Sequence, residues 1–287
     1  MLRKEKTLMT RENAKACVAF LKQNGYPYIL KISNYTTEIV SEIYNIQFMQ
    51  SKRGVQCFAA AAKIKSDVKG KEKPVVDKDS LIYFNHDFKR DAFHPEVINI
   101  DLRSAYATAL YNEGILSEAT FEYLGRIPKL DRLASVGMLA AQKHVFHYNE
   151  KNKITKYEKI FSENENFFYF AVLIVERIMN HLRMISGHAY LFTWVDGIYV
   201  KNDPEIIAEI EAFLKEINFR YKVETLTNFE VKVTGKVKLS FEKDGKTKYF
   251  QVPAKPSLFA KDVINFLTNK NDHNNENLQT KTFKKSN

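Results

Sequence analysis

The chain has 287 residues, 45% of them hydrophobic, with 21 Phe and 15 Tyr, which is enough to bury a core and too aromatic for a disordered chain. Its formal net charge of +10 and sequence pI near 9.3 point to a polyanionic partner, nucleic acid before membrane surface. Cys17 and Cys57 are the only cysteines, which excludes a disulfide framework and favours a reducing compartment.

No apolar signal region follows Met1-Leu2-Arg3-Lys4-Glu5-Lys6, and the longest apolar run, Phe167 to Val175, is far shorter than the roughly 20 residues of a membrane span. The expectation is a soluble, cytoplasmic protein that makes no membrane contact. In chain order, Thr10 caps a predicted helix over 10–24 that Gly25 ends. A strand is predicted over 26–32, and a second helix over 36–49 with Ile39, Ile43 and Ile46 on its buried side. Residues 54–64 are apolar. The charged stretch 65–78, broken by Gly70 and Pro74, reads as a domain boundary. Residues 1–78 are therefore expected to form a small N-terminal α/β appendage.

From Ser80 the predicted order is strand, strand, helix, loop, helix, long helix, hairpin, helix, hairpin. Phe170, Leu173, Ile174 and Leu182 recur at helical spacing within 166–185. Pro204 opens an amphipathic helix over 204–217. Residues 231–252 alternate about an Asp244-Gly245 turn, and the Asn- and Lys-rich 269–287 reads as a disordered tail. His144-x-x-His147 lacks a third ligand, so no zinc site is expected. Walker loop, zinc-finger spacing and nucleophile elbow are all missing, which leaves ATPase, finger and hydrolase readings without support.

Two segments carry the chemistry. In Ile98-Asn99-Ile100-Asp101-Leu102-Arg103-Ser104-Ala105-Tyr106-Ala107-Thr108 an apolar strand runs into Asp101 and a helix starts just beyond it. In Leu191-Phe192-Thr193-Trp194-Val195-Asp196-Gly197-Ile198-Tyr199-Val200 the Asp196-Gly197 pair reads as a hairpin turn. Two aspartates on adjacent strands can hold two divalent cations about 3.5–4 Å apart, an arrangement suited to in-line phosphoryl transfer.

Asp101-x-x-Ser104-x-Tyr106-x-Thr108 resembles motif A (D-x-x-S-L-Y-P-S) of the family B DNA polymerases. Val195-Asp196-Gly197-Ile198-Tyr199-Val200 resembles their motif C, with Trp194 where the family has its first aspartate. Lys129, followed by Arg132, stands in the place of the motif B lysine, without that motif's Asn and Tyr. Lys246-Thr247-Lys248-Tyr249 resembles the K-K-x-Y element. The likeness covers roughly residues 80–250.

The resemblance implies an α+β polymerase-type palm, its antiparallel sheet packed on helices, spanning 79–252 with reduced fingers. It also implies a minimal thumb helix over 253–268 and no proofreading domain. Asp101, Asp196 and the Leu102 carbonyl would hold two Mg²⁺ or Mn²⁺ ions. Arg103, Ser104, Tyr106, Lys129 and Arg132 would bind the incoming nucleotide, with Tyr106 beneath its sugar, excluding a 2′-hydroxyl. Lys246, Lys248 and Tyr249 would contact the primer strand, and Lys232, Lys236, Lys238 and Lys243 would widen that basic surface. The implied activity is template-directed DNA synthesis from dNTPs on primer-template DNA, alongside other replication proteins, in a phage or other mobile element. An inactive palm serving as a primer-template-binding subunit, and a primase- or reverse-transcriptase-like palm, are the alternatives.

Overall fold

The computed structural model describes residues 5–33, 35–49, 55–86, 88–234, 237–252 and 257–258. In chain order the first elements are β1 (Thr7–Leu8), α1 (Arg11–Gln23), β2 (Tyr28–Ser33), β3 (Thr36–Ser41), β4 (Asn45–Met49) and α2 (Val55–Val68). They are followed by β5 (Ile82–His86), β6 (Ala92–Leu102), α3 (Ala105–Asn112), α4 (Glu118–Arg126), α5 (Lys129–Gly137), β7 (Gln142–Tyr148) and β8 (Ile154–Phe161). Last come α6 (Glu165–Ser186), β9 (Tyr190–Trp194), β10 (Gly197–Lys201), α7 (Pro204–Glu216), β11 (Tyr221–Val233), β12 (Val237–Lys243), β13 (Lys246–Val252) and β14 (Ser257–Leu258).

The chain divides into two compact units, Met1–Lys73 with Leu116–Phe168, and Pro74–Ile115 with Tyr169–Asn287. The break at Lys73/Pro74 falls in the charged stretch, but residues 116–168 join the N-terminal residues instead of the expected 79–252 segment. The reason lies in pairing and packing. Strand β7 adds to β2 in antiparallel register, and the Ser117 amide and hydroxyl both donate to Asp67 Oδ2 at 2.9 Å. Ala134 and Met138 close a small core with Cys57 and Ala61 of α2.

The first unit is built on a six-stranded sheet ordered β1-β4-β3-β2-β7-β8, antiparallel except for the β1–β4 pair. Helix α1 is capped as expected, with Thr10 Oγ1 accepting from the Asn13 amide, and it packs Ala14 and Leu21 against Tyr28, Ile39 and Ile46. The helix predicted over 36–49 is instead the β3–β4 hairpin. Thr37 and Ile39, two apart, are the buried residues of β3, a period-2 burial. The Ser41 hydroxyl accepts from the Tyr44 amide and closes the turn. Isoleucines at 39, 43 and 46 fit a helical face, but Thr36, Thr37, Ile39 and Val40 favour a strand once β2 is available to pair. Residues 142–161, ahead of the long helix where the predicted order has no strand, form the β7–β8 hairpin. His144 and His147 stand three apart on β7 and so point to opposite faces.

The second unit is built on an eight-stranded antiparallel sheet, β13-β12-β11-β6-β10-β9-β5-β14, curled and packed on helices. Ala171, Val172, Val175, Ile178, Met179 and Leu182 give α6 a continuous buried stripe. Helix α7 is capped by Asp203 Oδ1, which accepts from the Glu205 and Ile206 amides, with Pro204 in its first turn. An aromatic cluster fills the curl. Phe192 stacks on Tyr199 with ring centroids 3.9 Å apart, and Phe229 and Phe250 stack on either side of Phe241. Of the expected thumb helix only Ser257–Leu258 is described, as a short strand beside β5. The predicted tail lies outside the described residues.

Candidate active site

Strands β6 and β10 are neighbours, and their register sets the site. Asp101 pairs with Gly197, Ile100 with Ile198, and Asn99 with Tyr199. The Leu102 amide donates to the Asp196 carbonyl at 2.9 Å, so the two aspartate-bearing strand ends are joined directly. On the other side of β6, Lys222 of β11 pairs with Asp101 and Glu224 with Asn99. Directly paired residues share a face, so Asn99, Asp101, Gly197, Tyr199, Lys222 and Glu224 form one patch.

The hairpin is displaced by one residue from the predicted one. Its two turn residues are Val195 and Asp196, and Gly197 is the first residue of β10. Val195 takes φ +57°, a region that β-branched residues rarely enter. Beyond Asp101, Ser104 also lies left-handed at φ +55°. Such backbone costs about 1–3 kcal/mol per residue and collects where geometry serves function. Gly197 is closely approached by side-chain oxygen: a Cβ there would lie 3.3 Å from Asn99 Oδ1, a tight contact, and 3.5 Å from Asp101 Oδ1 and 3.6 Å from the Trp194 carbonyl, both ordinary contacts. Gly197→Ala is therefore expected to push Asn99 Oδ1 aside by a few tenths of an ångström and lower stability by about 1 kcal/mol; an unchanged melting midpoint would show that the contact is relieved without cost.

Two of those oxygens belong to side chains that could receive a cation. Asn99 Oδ1 is buried and has no hydrogen-bond partner, although the side chain's Nδ2 reaches Glu224 Oε2 at 3.5 Å. An orphaned acceptor beside a carboxylate oxygen suits Mg²⁺ or Mn²⁺, which take oxygen ligands. No group of three or more His, Cys, Asp or Glu suited to a metal is found among the described residues. Two carboxylates with substrate phosphates and water are a common Mg²⁺ set, so Asp101 and Asp196 fit that mode.

Negative charge is felt throughout the patch. Burial raises the Tyr199 phenol pKa well above its usual value, and the charges of Asp101, Asp196 and Glu224 raise it further. Buried Tyr106 on α3 is raised in the same way, by burial and then by Asp196, so Tyr106 stands near that carboxylate. Arg103 is exposed, and its amide donates to the Arg220 carbonyl. The Ser104 side chain makes no cap bond to the start of α3.

Burial alone would raise the Glu224 pKa, but hydrogen bonds from Lys222 and Lys243 outweigh it and the net shift is downward. A depressed folded pKa stabilises the fold above the unfolded value, and that stability is lost as pH falls through the folded value. Glu224→Gln is expected to flatten the decline in stability as pH falls below 4.5, the ordinary value for a glutamate; an unaltered acid limb in pH-dependent denaturation would contradict this.

The remaining expected residues are placed elsewhere. Lys129 and Arg132 lie on α5, in the first unit. Lys129 is exposed, whereas Arg132 Nη1 donates to the Leu124 carbonyl at 3.2 Å and burial lowers its pKa. Lys246, Lys248 and Tyr249 are exposed on β13, three strands from β6. Lys232 and Lys238 pair across β11 and β12. Lys243 turns inward to Glu224 at 2.6 Å, and Lys236 lies outside the described residues. Trp194 packs edge-on against Phe84 and Phe250.

Asn99, Tyr199 and Glu224 did not emerge as site residues from the sequence. An asparagine between Ile98 and Ile100 was a usable signal, since a polar side chain in an apolar strand needs a reason. Glu224 gave none without the β6–β11 pairing.

Fold and geometry thus define an α+β protein whose curled antiparallel sheet carries two aspartates at adjoining strand ends. No family model matches the chain, and no curated protein matches it. Among the described residues, no helix is long and apolar enough to cross a membrane.

Proposed function

We propose that the second unit is a polymerase-type palm and that the protein is a template-directed DNA polymerase of the family B kind, acting in replication of a phage or other mobile element. The observation that carries this reading is the junction of β6 and β10, where Asp101 faces Gly197 and the Leu102 amide bonds the Asp196 carbonyl. The two segments that resemble motifs A and C pair there as neighbouring strands, which supports the reading.

In this reading Asp101 and Asp196 would hold two Mg²⁺ or Mn²⁺ ions, with the Leu102 carbonyl as a further oxygen ligand. When bound, the ions supply Lewis acidity to the attacking hydroxyl and the leaving pyrophosphate. The chain's own groups do the rest. Strained Val195 and Ser104 fix the two acids, and Gly197 lets the carboxylate of Asp101 lie close against the backbone. The amides opening α3 and the exposed Arg103 receive phosphate, with Ser104 at the same loop. Tyr106 provides an apolar floor for the sugar, and Lys246, Lys248 and Tyr249 hold the primer strand without reading its sequence. The role of Lys129 rests on the motif match alone, and Arg132 is engaged in helix packing.

The test is extension of a labelled primer on a longer template with dNTPs and Mg²⁺ or Mn²⁺. Extension that follows the template supports the reading. Binding of primer-template without extension under either metal would favour the non-catalytic subunit. Tyr106→Ala is expected to relax discrimination against ribonucleotides by at least tenfold, about 1.4 kcal/mol; unchanged sugar selectivity would remove its role.

A further inference from the structure

Strand β8 is the outer strand of the first unit's sheet, and its side chains are unusual for an edge. Tyr157 and Phe161 are about half exposed, as are Ile154 and Ile160. Tyr157, Lys159 and Phe161 alternate onto one face, opposite Phe146, His144 and Gln142 of β7. The rings there form a connected surface. Tyr157 lies 5.1 Å from Phe146 and near-parallel to His144, whose Nδ1 is 2.7 Å from the Tyr157 hydroxyl. Lys159 Nζ sits 4.9 Å from the centre of the Phe161 ring.

Charge is sorted between the two faces. No carboxylate occupies the aromatic face of β7 and β8. Glu158 points to the other face, where it pairs with Lys156 and lies 3.7 Å from His147. Between 142 and 161 the sequence carries Lys143, Lys151, Lys153, Lys156 and Lys159 against Glu150 and Glu158, so the hairpin is locally basic. Burial and then the Lys159 charge lower the His144 pKa.

From this we infer that the β7–β8 hairpin is a binding platform for single-stranded nucleic acid, bases stacking on Tyr157 and Phe161 while Lys159 on the same face, with Lys151 and Lys153 near the hairpin turn, follows the phosphates. Exposed rings on a sheet face with interleaved cations are the means by which proteins hold single strands without sequence preference. A duplex, its bases already stacked, gains nothing from the rings. A protein strand docking on the β8 edge would use backbone groups and would not account for the segregation of acids away from the rings. The site is separate from the aspartate patch and does not depend on its chemistry.

The test is fluorescence anisotropy of a labelled oligothymidine with the full chain, in EDTA and without dNTPs, so that polymerase activity has no part in the result. Tyr157→Ala and Phe161→Ala are each expected to weaken binding roughly 5- to 100-fold. Lys159→Ala is expected to reduce the slope of log affinity against log salt by about 0.7. Thermal midpoints confirm that these exposed substitutions leave the fold intact. Unchanged affinity in both aromatic variants overturns the proposal, as does loss confined to Lys246→Ala and Lys248→Ala. It is equally overturned if the β8 variants only convert a dimer to a monomer in sedimentation while oligothymidine binding persists.

Discussion

Asp101→Ala and Asp196→Ala are each expected to reduce primer extension by at least about 10³-fold, some 4 kcal/mol of transition-state stabilisation. Either substitution leaves a single carboxylate at the β6–β10 junction, too few to place two cations. In the proposed mechanism the charge that the ions would supply at the reacting phosphate would then be lost. Lys222 and Lys243 are committed to Glu224. The fold is expected to persist, because both aspartates are only partly buried at strand ends and removing one relieves charge crowding around Tyr199. Single-turnover extension with matched melting curves is the check. A variant that retains a tenth of wild-type activity would remove that aspartate from the site.

The second large effect is on stability. Phe192→Ala is expected to lower the unfolding free energy by about 3–5 kcal/mol. Phe192 is 1% exposed, stacks on Tyr199, and touches Phe84, Phe88 and Phe229 at ring separations near 6 Å. The curl of the sheet closes around it, so the cavity has little freedom to collapse. That loss is a large share of the roughly 5–15 kcal/mol available to a domain. Tyr199 also loses the ring it stacks on. Urea unfolding gives the number, and a change below about 1 kcal/mol would mean that the cluster is less tightly packed than described.

How much of this was legible in the sequence depends on the range of the interactions. Helices α1, α6 and α7 could be read because their caps and stripes are local: Thr10 bonds to Asn13, and Asp203 to Ile206. The β3–β4 hairpin was misread because Ile39, Ile43 and Ile46 fit two periods, and only pairing with β2 decides between them. In the β7–β8 hairpin, lysines interrupt the apolar pattern on an exposed edge, so alternation was weak where burial is weak. The two aspartates were legible as strand ends, yet the turn was placed one residue late. An Asp-Gly pair normally supplies the positive φ of a turn, whereas here Val195 bears that strain and Gly197 makes room for side-chain oxygens. Glu224 reaches Asn99 across 125 residues, and no local pattern encodes that contact.

The proposed polymerase chemistry requires that Asp101 and Asp196 share divalent cations. Crystals soaked in Mn²⁺ and measured at the manganese absorption edge test this directly. The prediction is an anomalous peak within about 2.5 Å of a carboxylate oxygen from each aspartate, lost in Asp196→Asn. Manganese bound elsewhere, with that junction empty at saturating metal, would contradict it.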